Sequence, residues 1–204
     1  MAIIVTGWRG DEWRAIAELT VPRMSEYAAR HGHTFSVYQF NDTIARPASW
    51  HKLLAIADAF SVADRVLWLD ADVLIVDGSN DIADEFPAGK CQAMVRHACP
   101  GGDVPNAGVW FLDRSMLCAL MTCAMHDGFV HHKWWEQAAI LDLMGFSESD
   151  GRCRHETATP LYEGTQWLDE SWNVWRGSPS SVRPRFVHAC GVKDGRLGYL
   201  KGLA

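Results

Sequence analysis

Asp70 and Asp72 stand one residue apart in the run Arg65 to Val76, RVLWLDADVLIV, where every other position after Arg65 is apolar. Residues i and i+2 of an extended chain share a face, with Cα atoms roughly 6.5–7 Å apart, so both carboxylates can turn toward one hard cation. Two buried, unpaired carboxylates would otherwise protonate or destabilise the fold. Oxygen ligands suit Mg2+ or Mn2+. An isolated pair of this kind also fits a turn or a cap, because short motifs recur by chance. The apolar residues on both sides argue against a solvated turn.

The neighbouring elements place the pair at a sheet edge. Ile3-Ile4-Val5 makes a short strand ended by Thr6-Gly7, and Asp11 is positioned to cap a helix beginning at Glu12. Thr20 and Pro22 restart that helix, which stops at His31-Gly32, where glycine takes the left-handed conformation. His33 to Phe40 alternates and reads as a second strand. Ser49 caps a helix from Trp50 to about Phe60, and the strand 65–69 follows. This alternation predicts an α/β fold with a mainly parallel central sheet flanked by helices. In such sheets ligands bind beyond the carboxyl ends of the strands, where Asp70 sits. Further on, 91–95, 109–112 and 185–188 read as strands, 115–125 and 133–144 as helices, and 145–183 as irregular. With no repeat, low-complexity tract or linker, residues 1–204 are expected to form a single domain.

Composition narrows the function. Hydrophobic residues make up 48% and charged residues 22%, ordinary values for a globular chain. The net charge of −6 argues against nucleic acid as a partner, so an anionic ligand needs local cations. No segment approaches the ~20 apolar residues that span a bilayer, so no transmembrane segment is expected. The start, MAIIVTGWRG, reads as a strand rather than a signal peptide. Six cysteines without a CxxC pair read as free thiols in a reducing compartment, which predicts a cytoplasmic location.

Around the acid pair a series of short motifs runs in order: Ser49-Trp50-His51-Lys52, LWLDADVLI, Asn106-Ala107-Gly108 before Val109-Trp110-Phe111-Leu112, Trp135-Glu136-Gln137, Trp172-Asn173, and Phe186-Val187-His188 through Gly191 and Lys193. The series resembles the retaining GT-A fold glycosyltransferases, specifically the galactosyl/xylosyltransferase (family 34) and glycogenin-like (family 8-like) nucleotide-sugar enzymes, over about residues 1–193. Each motif alone is weak, and six in order are specific.

The resemblance implies Mn2+ (or Mg2+) held by Asp70, Asp72 and His188, bridging the diphosphate of a nucleotide-sugar donor, by family habit a UDP-sugar. His188 matches the family's HxxGxxK pattern with Gly191, while the spacing to Lys193 is one residue short. Thr6, Gly7 and Trp8 would face the nucleotide and Lys52 its phosphates. Asn106, Ala107 and Gly108 would contact the transferred sugar. Glu136 and Gln137 match an acid-Gln pair opposite the leaving group, with Glu where the family usually has Asp. That pair serves as nucleophile in a double displacement, or stabilises charge during front-face attack. Trp134, Trp135, Trp167, Trp172 and Trp175 lie in the acceptor half, residues 113–204, and Trp172 is the one singled out for the site. Residues 1–112 would bind the nucleotide sugar, and the acceptor is a carbohydrate or another hydroxyl.

Two further readings stay open. A haloacid-dehalogenase-like phosphohydrolase also places DxD after a strand, but it needs a later acidic motif for which Asp81 and Asp84 are a poor substitute. A non-catalytic nucleotide-sugar binder would keep the fold without turnover.

Overall fold

Alternate residues of the central strands are apolar on both sides, so the sheet is covered on both faces. Ile3, Val5, Val66, Trp68, Trp110 and Leu112 face one core, and Ile4, Leu67, Leu69, Val109 and Phe111 face the other. The computed structural model describes residues 1–41, 45–99, 101–192 and 194–204. Its elements are β1 (Ile3–Trp8), α1 (Asp11–Arg30), β2 (Thr34–Gln39), α2 (His51–Ala59), β3 (Arg65–Leu69), β4 (Val73–Ile75), β5 (Gln92–Cys99), β6 (Gly102–Asp113) and α3 (Leu117–Met125). They continue with α4 (Glu136–Leu143), β7 (Phe146–Ser149), β8 (Arg152–His155), α5 (Pro160–Glu163), β9 (Thr165–Trp167), β10 (Phe186–His188) and α6 (Arg196–Lys201).

The central sheet has strand order β2-β1-β3-β6-β5-β9. The pairs β1/β2, β1/β3 and β5/β9 are parallel, whereas β6 runs antiparallel to both β3 and β5. Helices α2, α3 and α4 carry residues of the first core, and α1 carries Met24, Tyr27 and Ala28 of the second. Two small antiparallel sheets, β4/β10 and β7/β8, complete the architecture.

Several sequence expectations change. The first strand runs through Thr6-Gly7 to Trp8, because β2 pairs with it along its whole length. Asp11 lies inside α1, which Gly10 precedes, and α1 continues through Pro22. Burial of Ile16, Thr20, Met24 and Tyr27 along one face outweighs the single backbone bond that proline removes. Ser49 sits in a 3-10 turn, Ala48–Trp50, and makes no cap. Helix α4 begins at Glu136 rather than 133, since Trp135 has φ +48°, outside the helical region. The stretch 145–183 is not irregular: it holds the β7/β8 hairpin, α5 and the edge strand β9. Those strands are only three or four residues long, too short for a periodicity to show.

Gly145 links α4 to the hairpin at φ +84°, and a Cβ there would lie 1.9 Å from the carbonyl oxygen of Thr157. Gly145→Ala is expected to destabilise the protein by about 1–3 kcal/mol. Urea denaturation measures this, and an unchanged midpoint would show that the hairpin yields freely.

Candidate metal and nucleotide-sugar site

The run RVLWLDADVLIV is two strands in two sheets, β3 and β4, joined by the acid pair. Asp70 to Val73 is a turn closed by Val73 N–H donating to Asp70 O at 2.9 Å, so the pair is not extended as the spacing predicted. Three bonds anchor the turn. Thr20 Oγ1 donates to Ala71 O at 2.7 Å, Asp70 N–H to Gly108 O at 2.8 Å, and Ala189 N–H to Asp72 O at 3.1 Å. Strand β10 pairs with β4 in the register His188 opposite Val73, which brings the imidazole beside the acids. His188 Nε2 lies 3.3 Å from Asp72 Oδ1 and 3.6 Å from Asp70 Oδ2. One ligand atom from each of the three residues falls within 4.8 Å of the others.

Donor and acceptor logic fixes which way the imidazole faces. Between Met94 and Val95 the β5/β6 register shifts, and β6 bulges over residues 107–109. In that bulge the backbone N–H of Gly108 donates to Asn106 Oδ1 at 2.9 Å. The same oxygen accepts from Asn173 Nδ2 at 3.0 Å, so Asn173 presents its own oxygen to His188 Nδ1 at 3.1 Å. Nδ1 therefore carries a proton, and Nε2 is the nitrogen turned toward the carboxylates. Gly108 makes room for this arrangement, since a Cβ there would lie 2.0 Å from His188 Cε1. Behind it, His97 Nε2 bonds Asn173 O at 2.7 Å, and burial pushes the pKa of His97 down to about 4.

A second knot of charge adjoins the first. Lys52 Nζ lies 2.9 Å from Asp70 Oδ1, 2.9 Å from Glu136 Oε1 and 3.2 Å from Ala107 O. Its three donors are thus occupied, and the side chain is buried. Trp68, two residues before Asp70, donates its indole N–H to Asp70 Oδ1 at 2.6 Å. Gln137 Oε1 accepts from Ala107 N–H at 3.2 Å. The bulge therefore ties Asn106, Ala107 and Gly108 to Lys52, Gln137 and Asp70 through its own backbone.

Other candidates fall elsewhere. Thr6 is fully buried, and a Cβ on Gly7 would meet the ring of Phe40 at 2.6 Å, so Phe40 fills the space that glycine was expected to leave for a ligand. Trp8 is half-buried at the end of β1. Trp172 is not in the cluster: it packs fully buried against Phe186 and donates to Glu85 Oε1. Its neighbour Asn173 is the residue that touches the site. Gly191 is exposed with φ +76°, and Lys193 lies outside the described residues. Asp81 caps the turn Ile82–Glu85, which contains Asp84, and bonds His33. Sequence reasoning missed Arg196, whose Nε is 3.2 Å from Asp72 Oδ2. No motif marks it, because its nearness follows from the docking of α6 on α1.

The residues present fit a divalent cation: two carboxylates and one imidazole nitrogen converge, with Asp72 only 4% exposed. Burial opposes the charge on His188, but Cys190 and Asp72 beside it raise its pKa well above the usual 6.5. Burial also works against Asp72, yet His188 and Arg196 hold its pKa below the usual value. Burial and Asp70 raise the pKa of Glu136 against the pull of Lys52. For Lys52, Asp70 and Glu136 outweigh the cost of burial and keep it charged.

Because a metal ligand must be neutral imidazole, binding has to expel the proton from His188. Mn2+ affinity is expected to climb by up to about tenfold per pH unit below the raised pKa and then level off. The metal-free protein should move the opposite way: the stability this group contributes is complete below pH 6.5 and is lost as pH rises through the folded-state pKa. Mn2+ titrations followed by electron paramagnetic resonance, paired with thermal melts, measure both; a flat affinity profile contradicts the assignment. Gly108→Ala should displace the imidazole and weaken Mn2+ binding at least about tenfold. Isothermal titration would reveal an unchanged affinity if the ring moved without consequence.

No protein-family model matches the chain, and no curated protein matches it in sequence. Solved structures do match. A glycosyltransferase involved in glycosylation of the major capsid of PBCV-1 superposes with a TM-score of 0.72 at 20% identity, covering 98% of both chains. An active-site mutant of LgtC gives 0.55 at 15% identity over 98% of this chain and 95% of that one. The glycosyltransferase GlyE of Streptococcus pneumoniae TIGR4 gives 0.59 at 13% identity, over 92% of this chain and 55% of that one. The chain has the GT-A glycosyltransferase fold.

Proposed function

We propose that the protein is a metal-dependent glycosyltransferase that moves a hexosyl or pentosyl unit from a UDP-sugar to an acceptor hydroxyl with retention of configuration. The observation that carries this reading is the convergence of Asp70, Asp72 and His188 on one point, beside the β6 bulge that carries Asn106-Ala107-Gly108, in a GT-A fold. A divalent cation there, Mn2+ or Mg2+, would stabilise the departing nucleoside diphosphate as a Lewis acid.

The chain's own residues supply the rest. Asp70, Asp72 and His188 hold the cation. Lys52 acts on the phosphates through its field rather than by a hydrogen bond, because its donors are taken. Asn106 and Gln137 present amides to the sugar, and the Gln137 Nε2 has no partner among the described residues. Glu136, buried and ion-paired with Lys52, would have to leave that partner to act as a nucleophile. This favours front-face attack, with Gln137 stabilising the oxocarbenium-like charge. Trp8 serves the nucleotide from the end of β1, with Thr6 and Gly7 setting its backbone.

Residues 1–112 form the nucleotide-sugar half in this reading, and 113–204 supply the acceptor side and the ligand His188. Trp135, 47% exposed and one residue before Glu136, is the tryptophan of that half best placed to meet an acceptor sugar. Its strained backbone fits a fixed binding platform. All six cysteines are free thiols, and no described helix is long and apolar enough to cross a membrane. The free thiols fit a cytoplasmic enzyme in this reading.

The test is release of nucleoside diphosphate from a panel of nucleotide sugars, with and without Mn2+. Wild type should turn over at least one donor, slowly into water and faster with an acceptor. Asp72→Ala and excess EDTA should each reduce the rate by at least about a hundredfold. Full turnover in EDTA would remove the cation from the reaction, and ester hydrolysis without donor cleavage would favour a phosphohydrolase.

A further inference from the structure

Among the described residues, two permanent cations border the acid cluster, and they are held very differently. Lys52 is buried with all three donors occupied. Arg196 is 24% exposed and reaches Asp72 only through Nε, at 3.2 Å. That Nε–H is buried and not aligned for a hydrogen bond. Neither Nη has a hydrogen-bond partner among the described residues, and neither is a buried orphan, so both reach solvent. The guanidinium carbon lies 4.7 Å from the centroid of the Trp13 ring, a cation–π contact.

A planar cation with two unoccupied NH2 groups, seated on an aromatic ring and set against a candidate metal ligand, suits the bidentate contacts by which arginine grips phosphate oxygens. Its present partner is a poorly aligned ion pair, which a better acceptor can displace. We infer that Arg196 is a diphosphate-binding residue: its Nη groups hydrogen-bond the donor's pyrophosphate once a cation has taken up Asp72. This rests on the glycosyltransferase reading for the identity of the anion. The chemistry recognised is a pyrophosphate group, whatever base or sugar it carries.

This role has an unusual signature, because Arg196 should oppose one ligand and favour the next. Removing a positive charge beside Asp72 strengthens attraction for Mn2+, whereas removing two donors weakens the anion. Arg196→Gln is therefore expected to bind Mn2+ alone as tightly as wild type or roughly two- to fivefold tighter. It should bind inorganic pyrophosphate, at saturating Mn2+, roughly ten- to a hundredfold more weakly. Arg196→Lys, which keeps the charge but loses the fork, should retain the Mn2+ affinity and recover only part of the pyrophosphate affinity. Isothermal titration with MnCl2 and then sodium pyrophosphate reads both.

If Arg196→Gln binds pyrophosphate like wild type, or loses both ligands by the same factor, the residue merely supports Asp72 and the inference falls while the function stands. Should that variant fail to fold, Arg196→Lys decides: wild-type pyrophosphate affinity overturns the proposal, and selective weakening upholds it. A wild-type protein that binds Mn2+ but neither pyrophosphate nor any nucleoside diphosphate overturns this inference and the glycosyltransferase reading together.

Discussion

Among the described residues, three carboxylates and three cationic groups share one pocket, and their mutual neutralisation is the constraint around which the rest is arranged. Asp70, Asp72 and Glu136 are matched by Lys52, Arg196 and the protonated His188, through contacts of 2.9–3.6 Å. Removing one partner of a buried pair costs about 3–5 kcal/mol, because the other is left uncompensated. A typical domain is stable by only about 5–15 kcal/mol in all. Lys52 and Glu136, the buried pair, therefore cannot be separated without pressure on the whole fold, and the elements that carry them must meet accurately.

Those elements come from distant parts of the chain. Turn 70–72 is the hub, because β3 ties it to the central sheet and β4 to the small sheet with β10. The β6 bulge does the complementary work. It breaks the β5/β6 ladder, freeing backbone groups at 107 and 108 that would be costly to bury unpaired. Each finds a side chain or backbone partner in the site: Gln137, Lys52, Asn106 and Asp70. The cost of the bulge is offset by the bonds that align the site, so the irregularity of the sheet and the order of the pocket are one feature.

Much of this was legible in the sequence. The central strands, α2 and α3 announce themselves by period, and their alternation gives the α/β class. Asp70, Asp72 and His188 stand out by motif type, and the fold brings all three together. What could not be read was long-range register. Nothing in FVHAC says that β10 pairs with β4 rather than the main sheet, or that His188 falls opposite Val73. Trp172 attracted attention as an aromatic, whereas the short polar Asn173 holds the histidine. An amide's worth depends on what faces it, which composition does not show. Arg196 was invisible for the same reason. Gly7 and Gly108 illustrate the reverse case: Gly7 was expected to face the nucleotide and Gly108 the sugar, and the space beside each is filled by a side chain from elsewhere, Phe40 and His188.

The charge balance also explains how a chain of net charge −6 can receive an anion. Surface charges farther away than the ~8 Å Debye length at physiological salt are largely screened. A unit charge 4 Å away acts with about 4 kcal/mol at an effective dielectric of 20. The local sum therefore outweighs the global one. Among the described residues of the metal-free pocket, Asp70, Asp72 and Glu136 face Lys52, Arg196 and the His188 imidazole, so the acids already have partners and there is little to draw a diphosphate in. Exchange of the His188 proton for a divalent cation would leave the pocket one charge more positive, and would free Arg196 from its role as counterion to Asp72. An anion then becomes the missing partner. In the proposed function the order of binding follows from this balance: the cation would first create the deficit, and the diphosphate would then fill it.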